Sequence, residues 1–302
     1  MANSIALAKS YVPLLDETYK LASLTSDLDG AAELVRQGAN ANELIIPKLS
    51  MQGLGDYSRN SGYVDGDVTL TNETVTCNFD RGRMFTVDSM DNLETAGIAF
   101  GRLAGEFIRT KVTPEEDAFR FATYAGTTGI SKVSAGATLS DGAAVVAALR
   151  AAVTKMDEDE VPTNQRYLYI TPTLYGYVQD MDTTKSREIL ARFEKIVQVP
   201  QSRFYTAIDL KSGKIIPAAS DGGQATDETA GGYAKASGGK DINFLIIHKP
   251  AVIQFSKHAA PKIITPDVNQ SADAYKFGYR KVGIADVYDN KVAGIYLHHK
   301  AS

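Results

Sequence analysis

The stretch GDVTLTNETVTCNFDRGRMFTVDSMDNLETAG, Gly66 to Gly97, limits the fold of this chain more than any other. Its first two thirds read as short β-strands, and its last third turns helical. Val68 and Leu70 sit at even positions, whereas Val75, Cys77 and Phe79 sit at odd ones. Side chains alternate between faces along a strand, so this change of parity predicts a turn or bulge near Thr71–Glu73. Asp80-Arg81-Gly82 reads as a second turn, after which Phe85 and Val87 resume the alternation. Helical pattern lies on both sides, with no obvious sheet for the ribbon to join.

Elsewhere the pattern is mixed. Leu7, Tyr11, Leu14 and Leu21, with Pro13 between them, suggest a short, broken amphipathic arm. Ala41 to Ser50 is strand-like, and Gly53 to Asp67 is polar and turn-rich. Asn92 is placed to cap a helix whose apolar stripe runs through Leu93, Ala96, Phe100, Leu103 and Phe107 at steps of three and four. Thr113, Pro114 and Glu116 have the spacing of a capping box. Asn92 to Tyr124 therefore reads as one long helical element, kinked or broken near Thr113 and approaching ~50 Å at ~1.5 Å per residue.

Ser140 is placed to cap a third helix running to about Met156, followed by a solvated acidic turn, Asp157 to Glu160. RYLYI (Arg166 to Ile170) reads as a buried strand. Helices follow from Thr171-Pro172 to Met181 and again through TTKSREILARFEKI, and RFYTAI (Arg203 to Ile208) reads as a further strand. A Gly- and Ala-rich polar loop, Asp221 to Gly239, precedes an almost wholly β C-terminal part: NFLIIH, AVIQFSKH, PKIIT, AYKFGYRKVGIADVY and KVAGIYLHH. The class is α+β.

No chemistry stands out. The four histidines are His248, His258, His298 and His299, and the last two, adjacent on a strand, point to opposite faces and do not easily share a metal. GLGDYS (Gly53 to Ser58) lacks the glycine spacing of a phosphate loop, and no nucleophile elbow is present. No catalytic, cofactor-binding or metal site is expected. Arg81 and Arg83 beside Asp80 and Asp88 suit ion pairs that fix the base of the ribbon or hold a neighbouring subunit. The net charge of −4 gives no global nucleic-acid signature, although Ile242 to Ser302 is net basic and Met1 to Asp91 net acidic. The single cysteine, Cys77, excludes an intrachain disulfide and suits a reducing compartment. The N-terminus has no apolar core of a signal peptide, and no stretch approaches the ~20 apolar residues of a membrane span. A lone ribbon is marginal in water, so this one is expected to be disordered or ordered against another chain. That is the logic of an assembly.

DYSRNSGYVDGDVTL, DRGRMFTVDSMDNLETAG and EFIRTKVTPEEDAFRFATYA, between Asp56 and Ala125, resemble the major capsid proteins of tailed bacteriophages, especially those infecting Gram-positive bacteria. Asp80 to Thr95 carries the core of the likeness, and the remainder agrees in the order of its elements. The resemblance implies a Hong Kong 97-like capsid fold: an N-terminal arm (1–41), an extended β loop (42–90), the spine helix of a peripheral domain (91–136), an axial domain (137–248) and C-terminal strands completing the peripheral domain (249–302). It implies self-assembly into pentamers and hexamers of an icosahedral shell, made in the bacterial cytoplasm and residing in the virion. The implied partners are a scaffolding protein, a portal, decoration proteins and packaged double-stranded DNA held without sequence preference, with no membrane. Intersubunit contacts are expected at Val68, Leu70, Val75, Phe79, Asp80, Arg81, Arg83, Phe100, Phe107 and Tyr233.

The chain departs from that family in two ways. No lysine lies between Lys48 and Lys111, so a Lys–Asn crosslink from the ribbon is not expected. No segment of about a hundred residues precedes the arm, so scaffolding is expected from a separate protein or from a segment already removed. Two alternatives remain open at this point. One is an encapsulin-like compartment of the same fold; the other is a soluble enzyme or ligand-binding protein with a β arm.

Overall fold

The computed structural model describes residues 22–30, 36–37, 43–60, 62–94, 98–217 and 225–301. Most of the expected arm, Ala96, the side chain of Phe100 and residues 218–224, which include the start of the Gly-rich loop, lie outside them.

The ribbon is divided between two sheets. Strand β1 (Glu43–Met51) pairs antiparallel with β2 (Val68–Thr76), in unbroken register from Glu43↔Thr76 to Met51↔Val68. The turn expected near Thr71–Glu73 is absent. Parity is obeyed only where one face is buried, and among the described side chains of β2 it is Val75, near the root, that is buried, packed with Ile253 and Ile284. Val68 and Leu70 are 68% and 67% exposed, so nothing requires them to match it. The chain changes sheets at Cys77-Asn78, where Asn78 Nδ2 donates to Ala285 O (2.6 Å) and Asn78 Oδ1 accepts from Ala285 N (3.1 Å).

Strand β3 (Phe79–Asp88) then runs straight through Asp80-Arg81-Gly82, which is not a turn. Its odd positions point inward and its even ones outward. The glycine is required by close approach rather than by a bend: a Cβ at Gly82 would lie 2.8 Å from Tyr279 O on the adjoining strand.

The spine follows as α1 (Ser89–Glu94), α2 (Ile98–Phe107), a π-helical turn (Ile108–Val112) and α3 (Thr113–Gly126). Asp88, not Asn92, caps its start, accepting from Met90 N at 2.9 Å. Thr113 caps nothing. It lies inside the helix, with its N–H and its hydroxyl (3.1 Å) both directed to Ile108 O, and Glu116 turns inward to other partners. Pro114 has no N–H to give to the preceding turn, and a wide turn accommodates that loss without a break. The irregularity expected near Thr113 is this turn.

Helices α4 (Gly142–Glu158), α5 (Pro172–Met181) and α6 (Thr184–Leu190) come next in the chain. Asp141, rather than Ser140, caps α4, accepting from Ala144 N at 2.8 Å. The acidic turn after it is more than a solvated loop: Asp157 pairs with Arg166 (2.7 Å) and Arg192 (2.6 Å). The core sheet is built from β4 (Arg166–Ile170), β5 (Lys195–Gln198), β6 (Ile242–His248) and β9 (Ile295–His299), with the short strand Ser131–Lys132 at its edge beside β9. Across the sheet the order is Ser131–Lys132, β9, β6, β4, β5. Residues of β4, β6 and β9 are buried throughout, as continuous apolar runs require when helices cover both faces. Phe121 and Tyr124 of α3 pack on one face, while Val145, Leu149 and Met156 of α4 pack on the other. The expected strand RFYTAI is instead a 3-10 turn, Gln201–Arg203, followed by an isolated bridge at Tyr205.

Strands β7 (Val252–Ile264) and β8 (Ala274–Val287) pair with each other and, through β8, with β3. AVIQFSKH and PKIIT are thus one strand, bulged between Ser256 and His258, which tolerates Pro261 because it lies at the sheet edge.

His298 ties the last strand to the core. Its ring stacks on Phe244 at 4.9 Å, and its Nδ1 accepts from Asn243 Nδ2 at 3.0 Å. Burial, with the charge of His299 adding to it, pushes the imidazole down to about 4. The unfolded ring titrates near 6.5. Between those values the unfolded chain holds a proton that the folded chain does not, so stability falls as pH drops through this window. Denaturant titrations at pH 7 and pH 4 are expected to show about 3 kcal/mol of acid-induced loss that His298→Gln does not share.

Candidate intersubunit interface

Three features bear on what surrounds this chain. The first is the β1–β2 hairpin. Nine paired residues make it about 30 Å long at ~3.3 Å per residue. Along it and at its tip, Leu49, Met51, Leu54, Tyr57, Tyr63, Val64, Val68 and Leu70 are all exposed. Tyr57 and Tyr63 pair their rings at 4.9 Å, and Ser58 and Gly62 bridge beneath them. Contiguous apolar area of this kind marks a contact surface.

The second is a buried charged clamp on the segment Ala22 to Gly30. Asp117, fully buried on α3, accepts from Ser23 Oγ (3.0 Å), Leu24 N (3.0 Å), Thr25 Oγ1 (2.7 Å) and Arg203 Nη1 (3.0 Å). Arg120 pairs with Glu116 (2.6 Å) and donates to Thr25 Oγ1 (2.8 Å). Gln254 donates to Thr25 O and Asp29 Oδ1, and accepts from Tyr124 OH at 2.8 Å. Every charge here has a partner, as burial demands. This part of the expected arm is thereby fixed to the spine.

The third is an open cleft of about 1210 Å³ between β3, the spine and two loops, Lys211–Lys214 and Ala230–Tyr233. Arg81 Nε donates to Glu115 (2.6 Å), and its Nη2 donates to the carbonyls of Lys211 (2.8 Å) and Gly232 (3.3 Å). Arg83 donates to the carbonyls of Thr229 (2.7 Å) and Ala230 (3.0 Å). Two guanidinium groups thus tie β3 to the loops beside it. Gly231 takes φ +66°, and a Cβ there would lie 2.7 Å from Arg83 Nη1. Phe85, Phe107 and Tyr279 form an aromatic floor, with Phe85 and Phe107 at 4.8 Å edge to face. Seven Lys or Arg residues line the cleft against Asp80, Glu106 and Glu115.

The ten expected contact residues separate accordingly. Val68 and Leu70 lie free on the hairpin. Val75 and Phe79 are buried at its root, the latter against Phe119 at 5.0 Å. Arg81, Arg83 and Phe107 line the cleft. Asp80 holds Arg280 through two hydrogen bonds (2.9 and 2.6 Å), which keep its carboxyl below the usual range. Tyr233 donates to Ser202 O (2.8 Å), and burial pushes its phenol up to about 12. Phe100 has no described side chain. The clamp residues and the hairpin tyrosines were not singled out from sequence. Aromatic residues in the otherwise polar run Gly53 to Asp67 were the available signal for the latter. No group of metal-ligating side chains occurs among the described residues, and none of their helices is long and apolar enough to cross a membrane.

No family model matches the chain, and no curated protein does. Solved structures do. A structure from Mycobacterium phage Che8 superposes with a TM-score of 0.63 at 12% identity, covering 99% of this chain and 98% of the other. The mature capsid of bacteriophage PhiM1 gives 0.64 at 10% identity, covering 98% and 92%. The capsid of cyanophage P-SCSP1u gives 0.61 at 15% identity, covering 98% and 93%. Over almost its full length the chain has the Hong Kong 97-like fold of phage capsid subunits.

Proposed function

We propose that this chain is a major capsid protein, which assembles into pentamers and hexamers of an icosahedral shell around phage DNA. The observation that carries the reading is the β1–β2 hairpin, whose outer apolar side chains, Leu49, Met51, Leu54, Val68 and Leu70 among them, stand exposed beyond the buried root at Val75. Heterologous contacts of such an arm with a neighbour close into rings. The role is structural rather than catalytic, and the protein's place is the virion after synthesis in the bacterial cytoplasm.

Within that reading, residues 1–41 form the arm and 42–90 the extended β loop. The spine region 91–136 and the strands of 249–302 belong to the peripheral domain, and 137–248 to the axial domain. A scaffolding protein, a portal and decoration proteins are the partners such a shell uses, and the net basic C-terminal region suits unspecific contact with DNA.

Negative-stain electron microscopy and mass photometry test this on the protein expressed alone and with a candidate scaffold. Closed shells, tubes or hexamer-sized rings are expected, and nucleic acid rather than enzyme cargo inside distinguishes a phage head from an encapsulin-like compartment. A monomer under both conditions overturns the reading.

A further inference from the structure

A second, smaller cleft of about 400 Å³ opens at the end of the core sheet where β4 passes into α5. That volume falls within the roughly 300–1,000 Å³ of small-molecule sites. Thr171 stands at the N-cap of α5, and its N–H is spent on Asn243 O at 3.2 Å. The first helical bond runs from Tyr175 N to Thr171 O (3.0 Å), so the amides of Thr173 and Leu174 have no acceptor within the helix. An N-cap threonine ordinarily offers its hydroxyl oxygen to those amides. Here it does not. Thr171 is 7% exposed, lines the cleft and makes no side-chain hydrogen bond among the described residues. A buried hydroxyl without a partner carries a desolvation cost, which a ligand in the cleft removes.

The other walls are held in place. Asn243, 2% exposed, donates through Nδ2 to Ala137 O (2.8 Å), which fixes the approach to Thr138, and to His298 Nδ1 (3.0 Å). Lys300 brings an exposed ammonium to the rim. It lies 3.2 Å from Asp241, which Lys235 also holds at 2.8 Å, so the cations exceed the carboxylate by one. Among the described residues no carboxylate lines the cleft itself. Hydroxyls, free helix amides and a cation, with no opposing negative charge, are the donor set a phosphate group requires.

We propose that this cleft is a phosphate-binding site, with phosphate oxygens on the Thr171 hydroxyl and the first-turn amides of α5, and Lys300 supplying the counter-charge. The site goes beyond the shell reading and does not depend on it, because all of its groups belong to one subunit. A free phosphate and a nucleic-acid backbone present the same chemistry to it.

Sodium phosphate titrated into the full chain, against sodium chloride of equal ionic strength, tests this by thermal melting and by phosphorus NMR line width. Phosphate alone is expected to raise the melt and broaden the line. Thr171→Val is expected to weaken phosphate binding about tenfold or more. Without phosphate it is expected to melt at or above the parent, because the hydroxyl it removes was buried and unpartnered. Lys300→Gln is expected to weaken binding too, and its exposed ion pair leaves the phosphate-free melt unchanged. A short DNA duplex that displaces phosphate from the parent assigns the site to a nucleic-acid backbone, and one that leaves phosphate bound assigns it to free phosphates; both support the proposal. A melt that responds equally to chloride, or an undiminished phosphate affinity in Thr171→Val, overturns it. So does a phosphate-free Thr171→Val protein that melts well below the parent, since the hydroxyl then serves the fold rather than a ligand.

Discussion

Replacing residues 50–69 by a two-residue Asn-Gly turn is expected to leave a folded subunit that forms no shell. The excised part is exposed on both faces, so its removal costs the monomer little, within about 1 kcal/mol. What is lost is the apolar surface of Met51, Leu54, Tyr57, Tyr63, Val64 and Val68, leaving Leu49 and Leu70 on a short stump. The cut has to be placed with care. Removing Gly66 to Val87 instead would take away β3, whose Phe79 and Val87 are buried and whose backbone pairs with β8 from Asp88↔Ala274 to Phe79↔Gly283. That deletion is expected to unfold the subunit, so its failure to assemble would say nothing about the hairpin. Circular dichroism and mass photometry on the shorter excision check the prediction, and shells of normal size would sink it.

Asp117→Ala is expected to destabilise the folded subunit by about 3–5 kcal/mol. The substitution takes the Asp117 carboxylate from Arg203, 3% exposed, and deprives Ser23, Leu24 and Thr25 of a shared acceptor. Removing the carboxylate from a buried ion pair costs more than the pair contributed. Part of the loss is expected to return in Asp117→Ala with Arg203→Met, which removes the buried charge. Chemical denaturation gives the magnitude. Limited proteolysis gives the location, because cleavage between Ala22 and Gly30 is expected to accelerate before global unfolding. A loss below about 1 kcal/mol in the single variant would show that the clamp does not carry the segment.

Where burial imposes a pattern, the elements could be read directly. RYLYI, NFLIIH and AYKFGYRKVGIADVY are strands as expected, because each is packed on a core that punishes any other phase. The errors fall where that constraint is missing or is supplied from a distance. The outer part of β2 is exposed, so its parity carried no information and suggested a turn that is absent. Asp80-Arg81-Gly82 has the composition of a turn, yet its glycine answers to Tyr279, almost two hundred residues away, and local chemistry does not reveal such a neighbour. Thr113 and Glu116 have capping-box spacing, but Glu116 pairs with Arg120 and Lys281 instead. Of the candidate surface, Val68 and Leu70 were legible as unpartnered apolar residues. The cleft was not, because it joins β3, the spine and two loops that only the tertiary fold brings together.

The π turn at Ile108–Val112 has a consequence for how this lineage can vary. A helix advances ~100° per residue, so one residue gained or lost inside the spine rotates one half against the other by that angle. The two halves serve different masters. Phe107 before the turn must meet Phe85 and Tyr279, and Asp117 after it must meet Arg203. The wide turn acts as a phase adjuster, carrying the extra residue that lets both faces be correct at once. Insertions and deletions in relatives of this chain are therefore expected to fall in the hairpin tip or the loops, and to spare the stretch between Phe107 and Asp117 even where its side chains change freely.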